Sequence, residues 1–182
     1  KSQNVNPNTE IIIGEGTNSH SSIPTNTYYN YSYTQQIYLA SEMGGASVID
    51  KIYFQYTYST PITRNIDIYM GNTEKASFAS GTDYVTVGDM SVVFSGEIAF
   101  NNTEEWFEIE LDDPFVYDGI SNLVVTFDDN TGSYQYNASK FKYHNTLDNK
   151  SLYVSSDGTN YDPSNPVSGS LLTARNNIKF SN

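Results

Sequence analysis

The stretch that decides the fold runs from residue 105 to residue 129 and reads EWFEIELDDPFVYDGISNLVVTFDD. Large apolar side chains occupy every second position in two runs: Phe107, Ile109 and Leu111, then Leu123, Val125 and Phe127. This spacing is the period of a β-strand with one buried face. The Asp-Pro and Asp-Gly steps between the runs predict a bend that ends one strand and starts the next. The stretch therefore predicts an antiparallel β-protein whose sheets each expose one face to solvent.

Similar short runs recur along the chain. We predict further strands near 11–13, 29–39, 52–58, 66–70, 84–87, 91–94, 98–100, 141–143, 152–154 and 178–180. About ten short strands separated by turn residues are typical of an all-β fold, a two-sheet antiparallel β-sandwich of jelly-roll type. The one helix candidate is 73–81, with Phe78 turned inward. Gly44 and Gly45 predict a turn.

Chain length and composition indicate one folded unit. The chain has 182 residues, which suits a single domain, and we place it at 11–182. Residues 1–10 are polar and are predicted to form a linker or tail. The sequence has no cysteine, which excludes disulfides, thiolate zinc sites and a cysteine nucleophile.

The acidic charge balance limits the classes of partner. The formal net charge is -12, and Lys and Arg together number 9. Such a chain repels phosphate backbones and anionic membrane surfaces, so we expect no nucleic-acid partner. No apolar run is long enough to insert into a membrane. Calcium ions and neutral sugars remain compatible with this charge.

The catalytic signals are weak. His20 and His144 lie among Asn, Ser and Thr, where solvated loops are the expected setting. Neither a nucleophile elbow nor an HExxH motif is present. Glu108 and Glu110 share one strand face at a separation of roughly 7 Å, but acidic strands commonly carry such pairs on their solvent side. We therefore expect a non-enzymatic protein, with a glycoside-active enzyme ranked third among the functions considered.

A carboxylate cluster follows the second strand of the deciding stretch. Asp128 and Asp129 precede Asn130, Thr131 and Gly132. Calcium takes six to eight oxygen ligands, which acidic loops supply, so these two aspartates are the candidate ligands of one structural Ca²⁺. The alternative is ordinary turn chemistry, because Asp and Asn bond to their own backbone.

Tyrosine is the most abundant aromatic residue, with 16 copies. Strand preference alone accounts for many of them. The alternation nevertheless predicts that Tyr28, Tyr53, Tyr69 and Trp106 point outward. The candidate ligand-binding residues, all in predicted loops, are Tyr134, Tyr136, Asn137 and Tyr161. Their flat rings and amide groups are the combination that recognises sugars by stacking and hydroxyl hydrogen bonds.

Four segments together resemble a known module. They are YYNYSYTQQIY at 28–38, RNIDIYM at 64–70, Trp106 with PFVYDG at 114–119, and RNNIKF at 175–180. They are similar to a β-sandwich (jelly-roll) accessory module in secreted multidomain proteins of Gram-negative gut and oral anaerobes, related to gingipain-type adhesin domains. The resemblance implies a non-catalytic domain of a longer chain, secreted or displayed on a bacterial surface. It also implies that Trp106 and Asp118-Gly119 belong to the framework.

Composition, motifs and resemblance together favour a secreted or surface binding module with a glycan as its ligand. The alternative is a protein-binding adhesin that contacts a host or cell-surface protein, or a structural spacer within a larger surface protein. A glycan binder requires an aromatic surface or groove near loop ends, whereas a spacer requires none.

Overall fold

A computed structural model describes residues 10–102, 105–136 and 140–182, and most of the regular structure in these ranges is β-strand. The strands of the described residues are β1 (Ile11–Ile13), β2 (Ser19–His20), β3 (Tyr31–Tyr38), β4 (Ser47–Phe54), β5 (Ile62–Thr73), β6 (Ser91–Phe100), β7 (Phe107–Tyr117), β8 (Asn122–Asp129), β9 (Phe141–Asn145), β10 (Ser151–Ser156), β11 (Ser170–Leu172), β12 (Ala174–Asn176) and β13 (Ile178–Ser181). A short helix, α1 (Ala40–Met43), and a 3-10 turn (Val87–Asp89) complete the regular elements of these ranges.

The strands form antiparallel sheets that build a sandwich. The four-stranded sheet has the order β1-β13-β4-β7, and the six-stranded sheet has the order β11-β10-β3-β8-β5-β6. A smaller sheet has the order β12-β9-β2. Apolar side chains from the four-stranded and six-stranded sheets bury one another in the main core. The all-β antiparallel sandwich is therefore confirmed, while its jelly-roll type stays a prediction.

The deciding stretch forms two strands, but the first one ends later than predicted. β7 continues through Pro114 to Tyr117, so the Asp-Pro step does not end it. The ladder with β4 shifts register there, and 111–114 lie opposite the single residue Asp50. Proline is tolerated because β7 is an edge strand and the irregularity removes the need for its N–H. The turn itself comes at Asp118, whose Oδ1 accepts hydrogen bonds from Ile120 N and Ser121 N.

β8 is buried on both faces, which corrects the expectation of a solvent-exposed face on each sheet. Val124 and Thr126 are as buried as Val125 and Phe127. A second, smaller apolar cluster covers the outer face of the six-stranded sheet: Ile37, Phe78, Val85, Val124 and Leu152. Alternate side chains of β8 therefore enter two different apolar clusters. Neither face of this strand is exposed to solvent.

The predicted helix at 73–81 is wrong, because the segment is irregular after Thr73. Its Phe78 is buried, as predicted. The predicted strand at 84–87 is also wrong. Val85 gives its N–H to Gln35 Oε1 at 2.8 Å and accepts from Gln35 Nε2 at 2.9 Å. A side-chain amide thus satisfies the backbone groups that a neighbouring strand would otherwise have to pair.

The two ends of β3 lie next to different parts of the fold. β3 begins where β8 ends, since Ser32 pairs with Asp129, and it finishes beside α1. α1 replaces part of the turn that the glycines predict, and Gly44 ends it with a φ of 71°. The ends of β3 are about 23 Å apart at the usual rise per residue.

Candidate functional site

An exposed group of tyrosines lies at the start of β3. Tyr28 comes from the loop 21–30, and Tyr134 and Tyr136 come from the loop 130–136. The exposed fractions of these side chains are 44%, 61% and 79%. The rings of Tyr28 and Tyr134 are in contact across the two loops, with centroids 6.4 Å apart and planes inclined at 57°. We call these three residues the tyrosine surface; the structure thus adds Tyr28 to the two predicted tyrosines.

Backbone hydrogen bonds join the two loops that carry the tyrosine surface. Gln135 N donates to Thr27 O at 2.9 Å, and Gly132 N donates to Asn30 O at 2.9 Å. Gln135 is next to Tyr134 and Thr27 is next to Tyr28, so the first bond joins the backbone beside these two tyrosines. The second bond joins the two loops two residues away from each of these tyrosines. The loops are therefore one structural unit, although more than 100 residues of chain separate them.

A buried arginine on β5 lies beneath this unit. Arg64 Nη2 donates to Tyr29 O at 2.8 Å, and Nη1 donates to Ser133 O at 2.6 Å. Its Nε donates to Asp129 Oδ2 at 2.8 Å. The side chains of Arg64 and Asp129 are only 1% and 0% exposed. One guanidinium thus ties together a strand end and the backbone immediately adjacent to Tyr28 and Tyr134.

Both oxygens of the Asp129 carboxylate, the ion-pair partner of Arg64, accept hydrogen bonds from other groups. Besides Arg64, Asp129 Oδ2 accepts the Thr25 hydroxyl at 2.5 Å. Asp129 Oδ1 accepts from Thr131 N at 3.1 Å and from Thr131 Oγ1 at 2.5 Å. A buried ion pair is tolerated when further hydrogen bonds satisfy both groups, and this pair meets that condition. Its role in the fold is to fix the loops.

Asp128 lies in a different setting. Its Oδ2 accepts from Asn130 Nδ2 at 3.2 Å, while its buried Oδ1 has no partner among the described residues. Burial raises the pKa of Asp128 to about 7; the negative charges of Asp67, Asp129 and Asp162 add to the rise, and the Asn130 hydrogen bond opposes it. Asp128 therefore changes protonation near neutral pH, beside the loop that carries Tyr134.

The two candidate calcium ligands do not share an ion position. Consecutive strand residues point to opposite faces of a sheet, and the Asp129 oxygens already have partners. Among the described residues, no group of three or more His, Asp or Glu side chains is placed to hold a metal ion. Calcium binding by this chain stays a prediction, which melting of metal-free protein with Ca²⁺ and with EDTA tests.

Tyr161 does not extend the tyrosine surface. The side chain of Tyr161 is only 7% exposed, and burial raises its pKa. A ring buried in this way offers no face for stacking, which corrects its assignment as a ligand-binding residue. Asn137 lies outside the described residues.

Tyr53 lies on the outer face of β4 opposite Glu108 and Lys179, as alternation predicts, but it is buried there. Lys179 covers it, with Nζ 4.1 Å from the centre of the Tyr53 ring. Tyr69 and Trp106 are half-buried. Only Tyr28, of the four aromatics predicted from alternation to point outward, belongs to the exposed class.

Neither histidine occupies the solvated loop expected from its neighbours. His20 lies on β2 and His144 on β9, and both are half-buried. Burial lowers the pKa of each. His144 Nε2 accepts from Arg175 Nε at 3.0 Å, so this imidazole belongs to a second buried arginine centre at the far end of β3.

Comparison with known proteins gives no assignment, since no family model and no curated protein matches this sequence. In the described residues, no helix has the length and apolar character needed to cross a membrane.

Proposed function

We propose that this protein is a non-catalytic carbohydrate-binding module that recognises a neutral glycan on the tyrosine surface. The observation that supports the proposal most is the ring contact between Tyr28 and Tyr134. Two exposed aromatic rings from different loops meet at an angle, on backbone held from below by Arg64. Rigid aromatic side chains provide contact area at low conformational cost.

Polar groups next to the rings are suited to sugar hydroxyls. Asn30 is the last residue of the loop that carries Tyr28. Both its N and its Nδ2 donate to Asp157, to Oδ1 at 3.1 Å and to the backbone O at 2.9 Å. Asp157 is exposed, so its carboxylate has remaining acceptor capacity towards solvent. A hydroxyl that donates to this carboxylate would orient a sugar stacked on the rings.

The charge of the chain favours uncharged sugars. The formal net charge is -12, and Asp157 adds a local negative charge. Uronic and sialic acids would meet repulsion, whereas neutral hexoses would not. We therefore expect preference for neutral oligosaccharides, and we expect this preference to weaken as salt rises.

The exposed position of the surface sets the expected affinity. A shallow site of this kind gives a Kd of about 10 µM to 1 mM. Such a module acts efficiently when it is part of a longer secreted or surface-displayed chain, because tethering makes a second contact intramolecular. A protein-binding adhesin or a spacer domain is the alternative if no glycan binds.

The test is a glycan array followed by titration calorimetry on the wild type and on Tyr134→Ala, Tyr28→Ala and Tyr134→Phe. We expect each alanine variant to lose about tenfold or more in affinity, as stacking energies of this kind imply. Tyr134→Phe should retain most of the affinity because the ring face remains.

Ile120→Ala is a matched control, since Ile120 is an exposed apolar residue in a different turn; it should leave the affinity unchanged. If no plant, host or bacterial glycan binds, the module is not a glycan binder and the adhesin or spacer alternative takes its place. If a glycan binds equally well to both alanine variants, the tyrosine surface is not its site.

A further inference from the structure

A cavity lies at the opposite end of β3 from the tyrosine surface. Its volume is about 630 Å³, within the range of small-molecule sites. We call it the cleft, and it is lined chiefly by Ile13, Leu39, Glu42, His144, Leu147 and Arg175. Apolar side chains and a buried cation therefore face the same space.

Arg175 is the buried cation of the cleft and is only 3% exposed. Its Nε donates to His144 Nε2 at 3.0 Å, and its Nη1 donates to Ile37 O at 2.9 Å. Its Nη2 donates to Glu42 Oε1. The guanidinium is thus held on three sides by a neutral ring, a carbonyl and a carboxylate.

The tautomer of His144 follows from its neighbour Asn177. Asn177 Nδ2 donates to Gly16 O at 2.7 Å and to Gln55 Oε1 at 2.8 Å, which fixes the orientation of the amide. Asn177 Oδ1 must then accept from His144 Nδ1, at 3.0 Å. His144 Nδ1 carries the proton, and Nε2 is free to accept from Arg175. The polar wall is therefore a connected and preorganised network.

Donor capacity remains in this wall. A guanidinium has five N–H groups, and the contacts of the described residues account for three, which leaves one on each Nη. Lys150 also lines the cleft, and its Nζ donates to Ala76 O and Asp148 Oδ1, each at 2.6 Å. An ammonium has three N–H groups, so one of them remains as well.

The charges around the cleft differ from those of the chain as a whole. Arg175 and Lys150 balance Glu42 and Asp148, whereas the chain carries a net charge of -12. A singly charged anion can therefore enter here without the repulsion that it meets elsewhere. A multiply charged anion would face the two carboxylates that already pair with these cations.

The apolar wall suits an aliphatic chain. Leu39 is half-buried, and Leu147 at the rim is fully exposed. An unpartnered leucine at the mouth of a cavity gains burial when a ligand covers it, by about 25 cal/mol for each Å² of apolar surface removed from water.

We propose that the cleft binds an aliphatic carboxylate, with the carboxylate at Arg175 and the chain against Leu39 and Leu147. Two donors on neighbouring nitrogens match the two oxygens of a carboxylate. The same chemistry is offered by a free short-chain fatty acid and by the C-terminal aliphatic residue of a peptide. This site is independent of the tyrosine surface.

The experiment is a nitrogen-15 NMR titration of the intact chain that follows backbone amides and the Arg175 Nε–H. Hexanoate is compared with hexanamide, and acetyl-Ala-Leu is compared with its C-terminal amide. We expect saturable shifts at Leu147, Lys150 and Arg175, and binding of each carboxylate about tenfold tighter than that of its amide. Tighter binding of the dipeptide than of hexanoate would identify a chain end as the source, and the reverse would identify a free acid.

Variants test the two halves of the site separately. Leu147→Ser changes an exposed side chain and should weaken hexanoate binding about threefold or more, while Val116→Ser, an exposed valine on β7, should not. Arg175→Lys should remove the preference for the carboxylate over the amide, because lysine lacks the planar fork. If Arg175→Lys does not fold, the amide comparison on the wild type carries the same information.

Three results would overturn the proposal. They are the absence of saturable binding of both carboxylates up to about 20 mM, equal affinity for carboxylate and amide, and shifts that map away from the cleft. None of these results bears on glycan binding at the tyrosine surface.

Discussion

The two buried arginines of this protein, Arg64 and Arg175, lie at opposite ends of β3 and have different structural roles. Arg64 is paired with Asp129, which is fully buried, and its remaining contacts hold the loops of the tyrosine surface. Arg175 is paired with Glu42, whose side chain is 31% exposed, and it faces a cavity. The first arginine supports the loops of the tyrosine surface from below, whereas the second one lines the cleft itself.

The difference lies in the burial of the partner carboxylate. A carboxylate without contact to water depends entirely on its protein partners. Asp129 therefore does not release Arg64 to a ligand, and the exposed groups proposed to bind one at that end are the tyrosines. Glu42 retains contact with solvent, so Arg175 can share its charge with an incoming anion.

The largest expected effect is that of Arg64→Met. This change leaves the Asp129 charge buried and unpaired, and we expect the free energy of unfolding to fall by about 3 to 5 kcal/mol. Urea denaturation followed by circular dichroism measures it. The double variant Arg64→Met with Asp129→Leu should recover only part of the loss, because it removes the unpaired charge but leaves the Thr25 hydroxyl and the Thr131 N–H without their acceptor. A loss below about 1 kcal/mol in the single variant would show that the pair does not anchor the loops.

A second effect concerns the pH dependence of stability. The pKa of Asp128 rises from 3.8 to about 7 on folding, so the folded state holds this proton more tightly than the unfolded state. The stabilisation that follows is fully present below about pH 4 and is lost as the pH rises to about 7. We expect this loss to be about 2 to 4 kcal/mol, the upper figure corresponding to the full shift.

Asp128→Asn isolates this contribution, since the amide is close in shape and has no charge. The variant should be more stable than the wild type at pH 8 and nearly equal to it at pH 3.5, where Asp128 is protonated in both the folded and the unfolded state, as measured by urea midpoints at the two pH values. Asp113→Asn, at an exposed position on β7, is the control and should leave the pH profile unchanged. A wild-type advantage at pH 8 would contradict the assignment.

A smaller effect is expected for Arg175→Met. Glu42 can be hydrated when its partner is removed, so we expect a loss of about 1 to 3 kcal/mol, less than for Arg64→Met. Urea denaturation of the two variants in the same buffer compares them directly. A greater loss at Arg175 than at Arg64 would refute the argument from partner burial.

The fold was readable from the sequence because alternating apolar residues report directly on strand faces. The runs at Ile109 and Val125 placed β7 and β8 correctly. What alternation could not show is which faces a second layer covers, and Val124 was therefore misassigned to solvent. The end of β7 was mispredicted at Pro114 for a related reason. Proline interrupts a central strand but is tolerated in an edge strand, and the position of a strand in the sheet depends on the whole fold.

Only part of the candidate site could be predicted from the sequence. Tyr134 and Tyr136 stood out because they follow an acidic turn and lie in a polar loop. Tyr161 lies in an equally polar loop, but its ring is buried. Arg64 gave no local signal, since Tyr29, Asp129 and Ser133, its three partners, are distant from it in sequence. Contacts of this kind depend on the tertiary arrangement, which sequence spacing does not encode.

The central claim is that Arg64 holds the two tyrosine loops together, and amide hydrogen exchange of Arg64→Lys tests it most directly. Lysine keeps the charge opposite Asp129 but cannot reach both loop carbonyls with a planar fork. We predict that protection falls about tenfold or more at Gly132 and Gln135, whose N–H groups bridge the loops. Protection at Ile37, which donates to Lys150 O near the cleft, should stay the same. Unchanged protection at Gly132 and Gln135, or an equal loss at Ile37, would contradict the account.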